Sequence, residues 1–278
     1  MGNHGRNQGS RTVAWLAPIL FALFLLLVWW AATNLREVEP WVFPTPQAFG
    51  RRAATLLGEK WLWDRVWVTA SEALVGSLVG SAIAIPLAWA IFRSNIIRAA
   101  IEPFLGATQA IPAIALAPLL VLWIGYGFIP IVSLCALIVF FPVLVATTVG
   151  LRQMDQDIIE AASLDGAGGW RMIWSIEMPL VAPSMLGGIR NGFALSVTGA
   201  VVGEMVMGGT GLAQTLTQQR QNLDTAGMFV TVGLLCILAM TLYGFIYYFE
   251  RRLKQDVGRT TRVHKSFFTK DLEDSQTK

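Results

Sequence analysis

The sequence predicts an all-α polytopic membrane protein, a transmembrane helical bundle of six spans. Apolar residues make up 54% of the chain and charged residues only 14%, with a mean hydropathy of +0.55. A soluble domain carries about a quarter charged residues. Here the charges gather between long apolar runs, as in a bundle whose helices face lipid. The eleven Trp fit that setting, because indole rings favour the membrane–water boundary.

Residues 1–12 form a polar tail with Arg6 and Arg11, expected on the cytoplasmic side. Residues 13–32 are an apolar run longer than a signal-peptide core, so a retained first transmembrane helix is expected rather than a cleaved leader. Residues 33–65 form an extracytoplasmic segment. Within it Phe49, Ala53, Leu56, Leu57 and Trp61 make one apolar stripe at helical spacing, with Arg51, Arg52 and Glu59 off it. That pattern predicts a helix lying in the interface.

Five further spans are drawn over 66–92, 101–124, 128–150, 185–207 and 228–249, each near the ~20 residues that cross a bilayer. Gly125-Tyr126-Gly127 is a tight turn between the third and fourth. Pro86, Pro112, Pro118, Pro130 and Pro142 interrupt the helices. Gly76, Gly80 and Ala84 form a small-residue ladder for close helix packing. Residues 251–278 carry both charge signs and few apolar groups, and are expected to be a mobile tail. Arg93, Arg98, Arg152 and Arg171, with the cluster from Arg251 to Lys270, place both termini in the cytoplasm by the positive-inside rule.

Other chemistries find little support. His4 and His264 lie in the tails, and Cys135 and Cys236 lie inside apolar runs as small hydrophobes. No catalytic residue, metal site or cofactor is assigned to the chain. The net charge of +3 sits largely at the C-terminal end and implies a membrane face, not nucleic acid.

The most informative stretch is the long loop at 155–179, between the fourth and fifth spans. Asp157 is expected to cap a short helix, with Glu160 returning the capping-box bond. Ala161, Ala162 and Leu164 favour helix. Gly166, Gly168 and Gly169 end it and permit a bend. Residues 170–175 form a second short helix, which Pro179 and Pro183 end before the next span.

Glu160-Ala161-Ala162, three residues, Gly166, nine residues, Ile176, one residue and then Met178-Pro179 resembles the cytoplasmic signature of type I ABC importer permeases. The single departure is Met178 where Leu is usual, a swap of similar volume. The resemblance covers roughly 65–250 and identifies 66–250 as an ABC transmembrane type-1 domain. It implies the type I permease fold in a bacterial inner membrane. It also implies that 155–179 is a coupling loop docked on a separate ATPase subunit. Asp157, Glu160, Ala161, Ala162, Asp165, Gly166, Ile176 and Pro179 carry that expectation, small alanines allowing close approach and carboxylates meeting basic groups.

The family further implies two ATPase subunits, an extracytoplasmic substrate-binding protein and a permease homodimer. The sequence has no Gly-x-x-x-x-Gly-Lys-Ser/Thr phosphate loop, so ATP is expected on the partner subunit. The alternatives left open are the transmembrane coupling subunit of an energy-coupling-factor vitamin transporter and a polytopic membrane enzyme.

Within the spans, Glu72, Gln109, Asn191, Thr198 and Glu204 are candidate translocation-path groups. Glu72 and Glu204 fall near span ends, where snorkelling to water is the competing reading. Arg190 is placed to meet lipid phosphates. Residues 42–47, Gly199 to Glu204 and Gly209 to Leu212 resemble the nitrate/sulfonate/taurine group. Asp224 to Phe229 and Glu250-Arg251-Arg252 resemble members that carry thiamine pyrimidine precursors or riboflavin.

Overall fold

Helices in lipid associate through close van der Waals contact, so glycines on facing surfaces decide which helices meet. The computed structural model describes residues 20–33 (22 and 25 excepted), 42–108 and 113–276, and the regular structure among them is helical. In order these are α1 (within 20–33), α2 (Pro46–Leu57), α3 (Lys60–Arg93), α4 (Asn95–Thr108), a 3₁₀ turn (Ala113–Leu116), α5 (Ala117–Ile124) and α6 (Phe128–Arg152). Then come α7 (Gln156–Leu164), α8 (Gly169–Met172), a π turn (Ile173–Glu177), α9 (Met178–Met207), α10 (Leu212–Gln221) and α11 (Thr225–Gln276). The chain divides into two units, 1–63 with 215–233 and 64–214 with 234–278.

The larger unit is organised around α6. Gly188, Gly192, Gly199 and Gly203 of α9 lie against it at Ala146, Val139, Ile138 and Ile131. A Cβ at Gly188 would sit 3.0 Å from the Pro142 carbonyl oxygen, and one at Gly192 would sit 2.8 Å from Val139 Cγ1. On α6's other flank the predicted ladder of α3 is in contact. Gly76 faces Cys135 and Val132, Gly80 faces the Ala136 carbonyl, and Ala84 is fully buried. Arg190 joins α9 to α11 through a 2.8 Å ion pair with Glu250 and stacks over the rings of Tyr243 and Tyr247. This corrects the expectation that Arg190 meets lipid phosphates. A half-buried guanidinium gains more from a fixed carboxylate and two aromatic faces.

In the smaller unit, Trp29 of α1 donates to the Pro44 carbonyl at 3.0 Å and packs edge-on against Phe43 and Phe49. Thr45 caps α2 by accepting from the Ala48 N–H, and Pro46 opens the helix. The expected stripe ends early. Gly58 closes α2, so Trp61 belongs to α3 and stands half exposed, and of the stripe only Leu56 is fully buried. Arg52, off the stripe, pairs with Asp224 at 2.5 Å, while Asp224 Oδ1 accepts from the Gly227 N–H at the start of α11.

Among the described residues four helical stretches are long and apolar enough to span a membrane: Lys60–Arg93, Phe128–Arg152, Gly169–Met207 and Thr225–Arg252. Residues 13–19 of the first expected span lie outside the described residues. The third expected span, 101–124, is divided between α4 and the 3₁₀–α5 piece. Pro118 at the head of α5 cannot donate to a carbonyl four residues back, so the chain enters through the tighter 3₁₀ turn. After 250 the backbone stays helical to Gln276 where an irregular tail is expected, since no Pro and a single Gly interrupt it.

Gly192→Leu is expected to lower the melting temperature of the detergent-solubilised protein, because overpacking a tight interface costs about 1–3 kcal/mol. Gly187→Ala, whose added Cβ meets nothing within 4 Å, is expected to leave it unchanged or slightly raised.

Candidate functional site

The segment from Asp155 to Pro179 leaves α6 and returns as α9. Asp155, with extended backbone, caps α7 by accepting the Asp157 N–H on Oδ1 at 3.0 Å. This corrects the expected capping box: Asp157 sits in the first turn, where its charge favours the helix dipole. Glu160 is exposed on the helix surface, and its carbonyl accepts the Ser163 hydroxyl at 2.7 Å.

The end of α7 is as the glycines predict. Gly166 takes φ +83°, its N–H bonds to the Ser163 carbonyl, and the Ala167 N–H bonds to the Ala162 carbonyl at 3.0 Å. Those two bonds are the Schellman closure, which an L-residue at 166 disfavours. Gly169, at φ +55°, makes the second bend into α8.

The expected break at Pro179 does not occur. α8, the π turn and α9 run on without interruption from Gly169 to Met207, with Pro179 in the first turn of α9 and Pro183 inside it. Prolines leave carbonyls without their usual donors. The wider π turn, closed by the Met178 N–H on the Ile173 carbonyl, lets the chain keep turning through that stretch.

This segment has two faces. Met172 is buried, and Ile159, Ile173 and Met178 pack against the core around Val139, Val143 and Leu151. The opposite face presents Ile158, Leu164, Trp170 and Trp174, with Leu164 88% and Trp170 74% exposed. Of the expected coupling residues, Asp157, Glu160, Ala161, Asp165 and Gly166 are exposed, while Ala162, Ile176 and Pro179 are half-buried. A groove of about 460 Å³ runs beneath it, lined by Ile85, Pro86, Trp89, Trp170, Trp174 and Met178.

Sequence reasoning missed Glu177. It is 1% exposed, and both carboxylate oxygens are engaged by α3: Oε2 accepts from Trp89 Nε1 at 2.9 Å and Oε1 from Arg93 Nη2. The available signal was an acid inside the apolar Ile176–Met178 context and an indole and guanidinium four residues apart.

The path candidates separate. Glu72 and Glu204 are 1% and 0% exposed, so the snorkelling reading is corrected. Thr69 Oγ1 donates to Glu204 Oε1 at 2.5 Å and accepts the Leu212 N–H at 2.9 Å, while the Ala213 N–H donates to Glu204 Oε2 at 2.7 Å. Glu72 is buried as well, and its Oε2 has no hydrogen-bond partner among the described residues. A Cβ on Gly209 would fall 2.6 Å from Glu204 Cγ, and one on Gly211 would strike both Glu204 and Thr69. These groups clasp the turn between α9 and α10. Asn191 and Thr198 are exposed on α9 and are not part of the clasp. Gln109 lies outside the described residues.

With that geometry in place, comparisons with known proteins agree on one kind of protein. The family described as binding-protein-dependent transport system inner membrane component matches residues 76–255. The riboflavin transport system permease protein RibX of Chloroflexus aurantiacus is 38% identical over 83% of this chain and 87% of its own length. The formylaminopyrimidine transport permease protein ThiX of Halalkalibacterium halodurans is 29% identical over 88% of this chain and 97% of its own. A chain of the inward-facing MetNI methionine ABC transporter shares the fold with a TM-score of 0.62, at 18% identity, over 69% of this chain and 95% of that one.

Asp155→Ala is expected to cost about 1 kcal/mol of local helix stability, read as several-fold faster amide exchange across Asp157 to Glu160. Asp157→Ala, which leaves the cap in place, is expected to cost less. The reverse order would show that Asp157 is the cap.

Proposed function

We propose, on the premise that the chain belongs to the family of binding-protein-dependent transport system inner membrane components, that its 155–179 segment couples solute passage to ATP hydrolysis by a separate subunit. The chain is a multi-pass membrane permease subunit of an ABC importer for small solutes, and not an enzyme. Partners of such importers are an ATPase and a substrate-binding protein.

The observation that carries the coupling role is the two-faced segment itself. Its inner face is packed into the bundle, and its outer face exposes carboxylates, small residues and Leu164, uncovered among the described residues. That is the surface a docking groove needs: an apolar knob, a close-approach alanine patch and charges to set register. In the proposed orientation both termini and this segment face the cytoplasm, supported by the Arg and Lys distribution. Two permease copies and two ATPase subunits then make the assembly. Shifting an inward:outward population from 1:99 to 99:1 requires about 5.5 kcal/mol of differential binding, which nucleotide-driven closure of the ATPase pair would deliver through the docked segments.

For the solute, riboflavin or a thiamine pyrimidine precursor is the reading favoured over nitrate, sulfonate or taurine. It is supported by the relatives named for riboflavin and formylaminopyrimidine transport.

Glu160→Lys reverses an exposed charge, and Gly166→Pro demands a φ near −65° where the chain holds +83°. Both variants are expected to insert normally, to bind the ATPase subunit weakly and to abolish ATP-driven uptake. Wild-type uptake in both would refute the coupling role. For the solute, calorimetric titration of the partner binding protein with riboflavin and with formylaminopyrimidine is expected to give saturable binding of one of them. Binding of taurine alone would overturn the assignment.

A further inference from the structure

An exposed docking segment transmits nothing unless something stiff ties it to the spans. Most of 155–179 is poorly placed to pass on a displacement, since α7 has no fully buried residue and its closest neighbours in the core are apolar contacts that can slide. Glu177 is different. It lies at the last position of the π turn, fully enclosed, with each carboxylate oxygen held by a donor from the final turn and a half of α3. Trp89 is itself 8% exposed, so its N–H approaches from inside the core. Arg93 is the last residue of α3, and half of its side chain remains exposed.

We propose that Glu177, gripped by Trp89 and Arg93, is the positioning residue that passes movement of the docking segment into α3. The inference rests on the coupling role proposed above and deepens it by naming the mechanical connection.

Stability alone does not account for a carboxylate here, because a buried ion pair contributes little net stability relative to well-packed apolar side chains. Its value lies in resistance to separation. Pulling the π turn away from α3 strands a buried charge, so the two move together. Directionality strengthens the link: charge-assisted hydrogen bonds lose energy with misalignment, whereas Ile or Met contacts tolerate a shift.

On the far side the connection continues. α3 meets α6 at Gly76 and Gly80 with backbone-close contact, and it meets the Glu204 turn through Thr69. A displacement imposed at Trp89 and Arg93 therefore reaches the other end of the bundle along a single helix.

The test uses the full permease assembled with its ATPase subunits in nanodiscs. Amide exchange is followed by mass spectrometry with and without ATP plus orthovanadate. In the unaltered chain, nucleotide is expected to change exchange both in 156–165 and in 86–94. In Glu177→Gln the first change persists, while the second falls by at least about tenfold, the factor that corresponds to losing a hydrogen bond to a charged group. Equal responses of both segments in the variant and the unaltered chain overturn the joint. No response at 156–165 in the unaltered chain overturns the docking role itself, and the joint with it, so the two failures are distinguishable. Should Glu177→Gln fail to insert, Trp89→Phe removes the indole N–H together with one of the two fused rings and leaves the Arg93 pair. It is expected to weaken the 86–94 response and spare that of 156–165; an unchanged response overturns the proposal.

Discussion

A carboxylate enclosed in a helical bundle must find donors inside the protein, because lipid offers none. Two glutamates associated with the long fifth-span helix meet that demand, and each takes at least one donor from α3. Glu177 precedes α9 and takes Trp89 and Arg93; Glu204 near its end takes Thr69 and the Ala213 N–H. These bonds set α3 and α9 antiparallel and fix their register along the membrane. From Thr69 to Trp89 the rise is about 30 Å at about 1.5 Å per residue, which matches the hydrocarbon thickness. The two polar attachments thus stand at opposite ends of an apolar contact zone.

Between those ends, small residues set the distance. Gly76 and Gly80 bring α3 onto α6, and Gly188, Gly192, Gly199 and Gly203 bring α9 onto the same helix. Each contact leaves too little space for a side chain, so a Cβ at any of these glycines would push the helices apart. A bundle built this way favours discrete rearrangements over gradual deformation. A permease that alternates between two accessible states requires that behaviour.

The segment from Asp155 to Pro179 shows how tightly local signals and tertiary context interlock. Gly166 closes α7 as its position after Ala162 predicts, and the left-handed backbone there is the reason for glycine. Yet the cap at the other end is Asp155 and not Asp157, a two-residue choice that propensity does not resolve since both acids suit a helix start. Pro179 looks like a stop signal, but the helix runs through it because a π turn and close packing against the core compensate the lost bonds.

The apolar runs, the tight Gly125–Gly127 turn, the Gly76–Gly80 ladder and the spaced Glu160–Pro179 pattern determined the class of fold and the family, because they depend on local chemistry and on lipid as solvent. Partnership was beyond their reach. That Glu177 meets Trp89 and Arg93, that Glu204 meets Thr69, that Arg190 meets Glu250, and that Arg52 meets Asp224 each joins residues far apart in the chain. An acid near a span end reads the same whether it snorkels to water or locks a turn. Only the packed helices decide, by leaving room for water or for a donor.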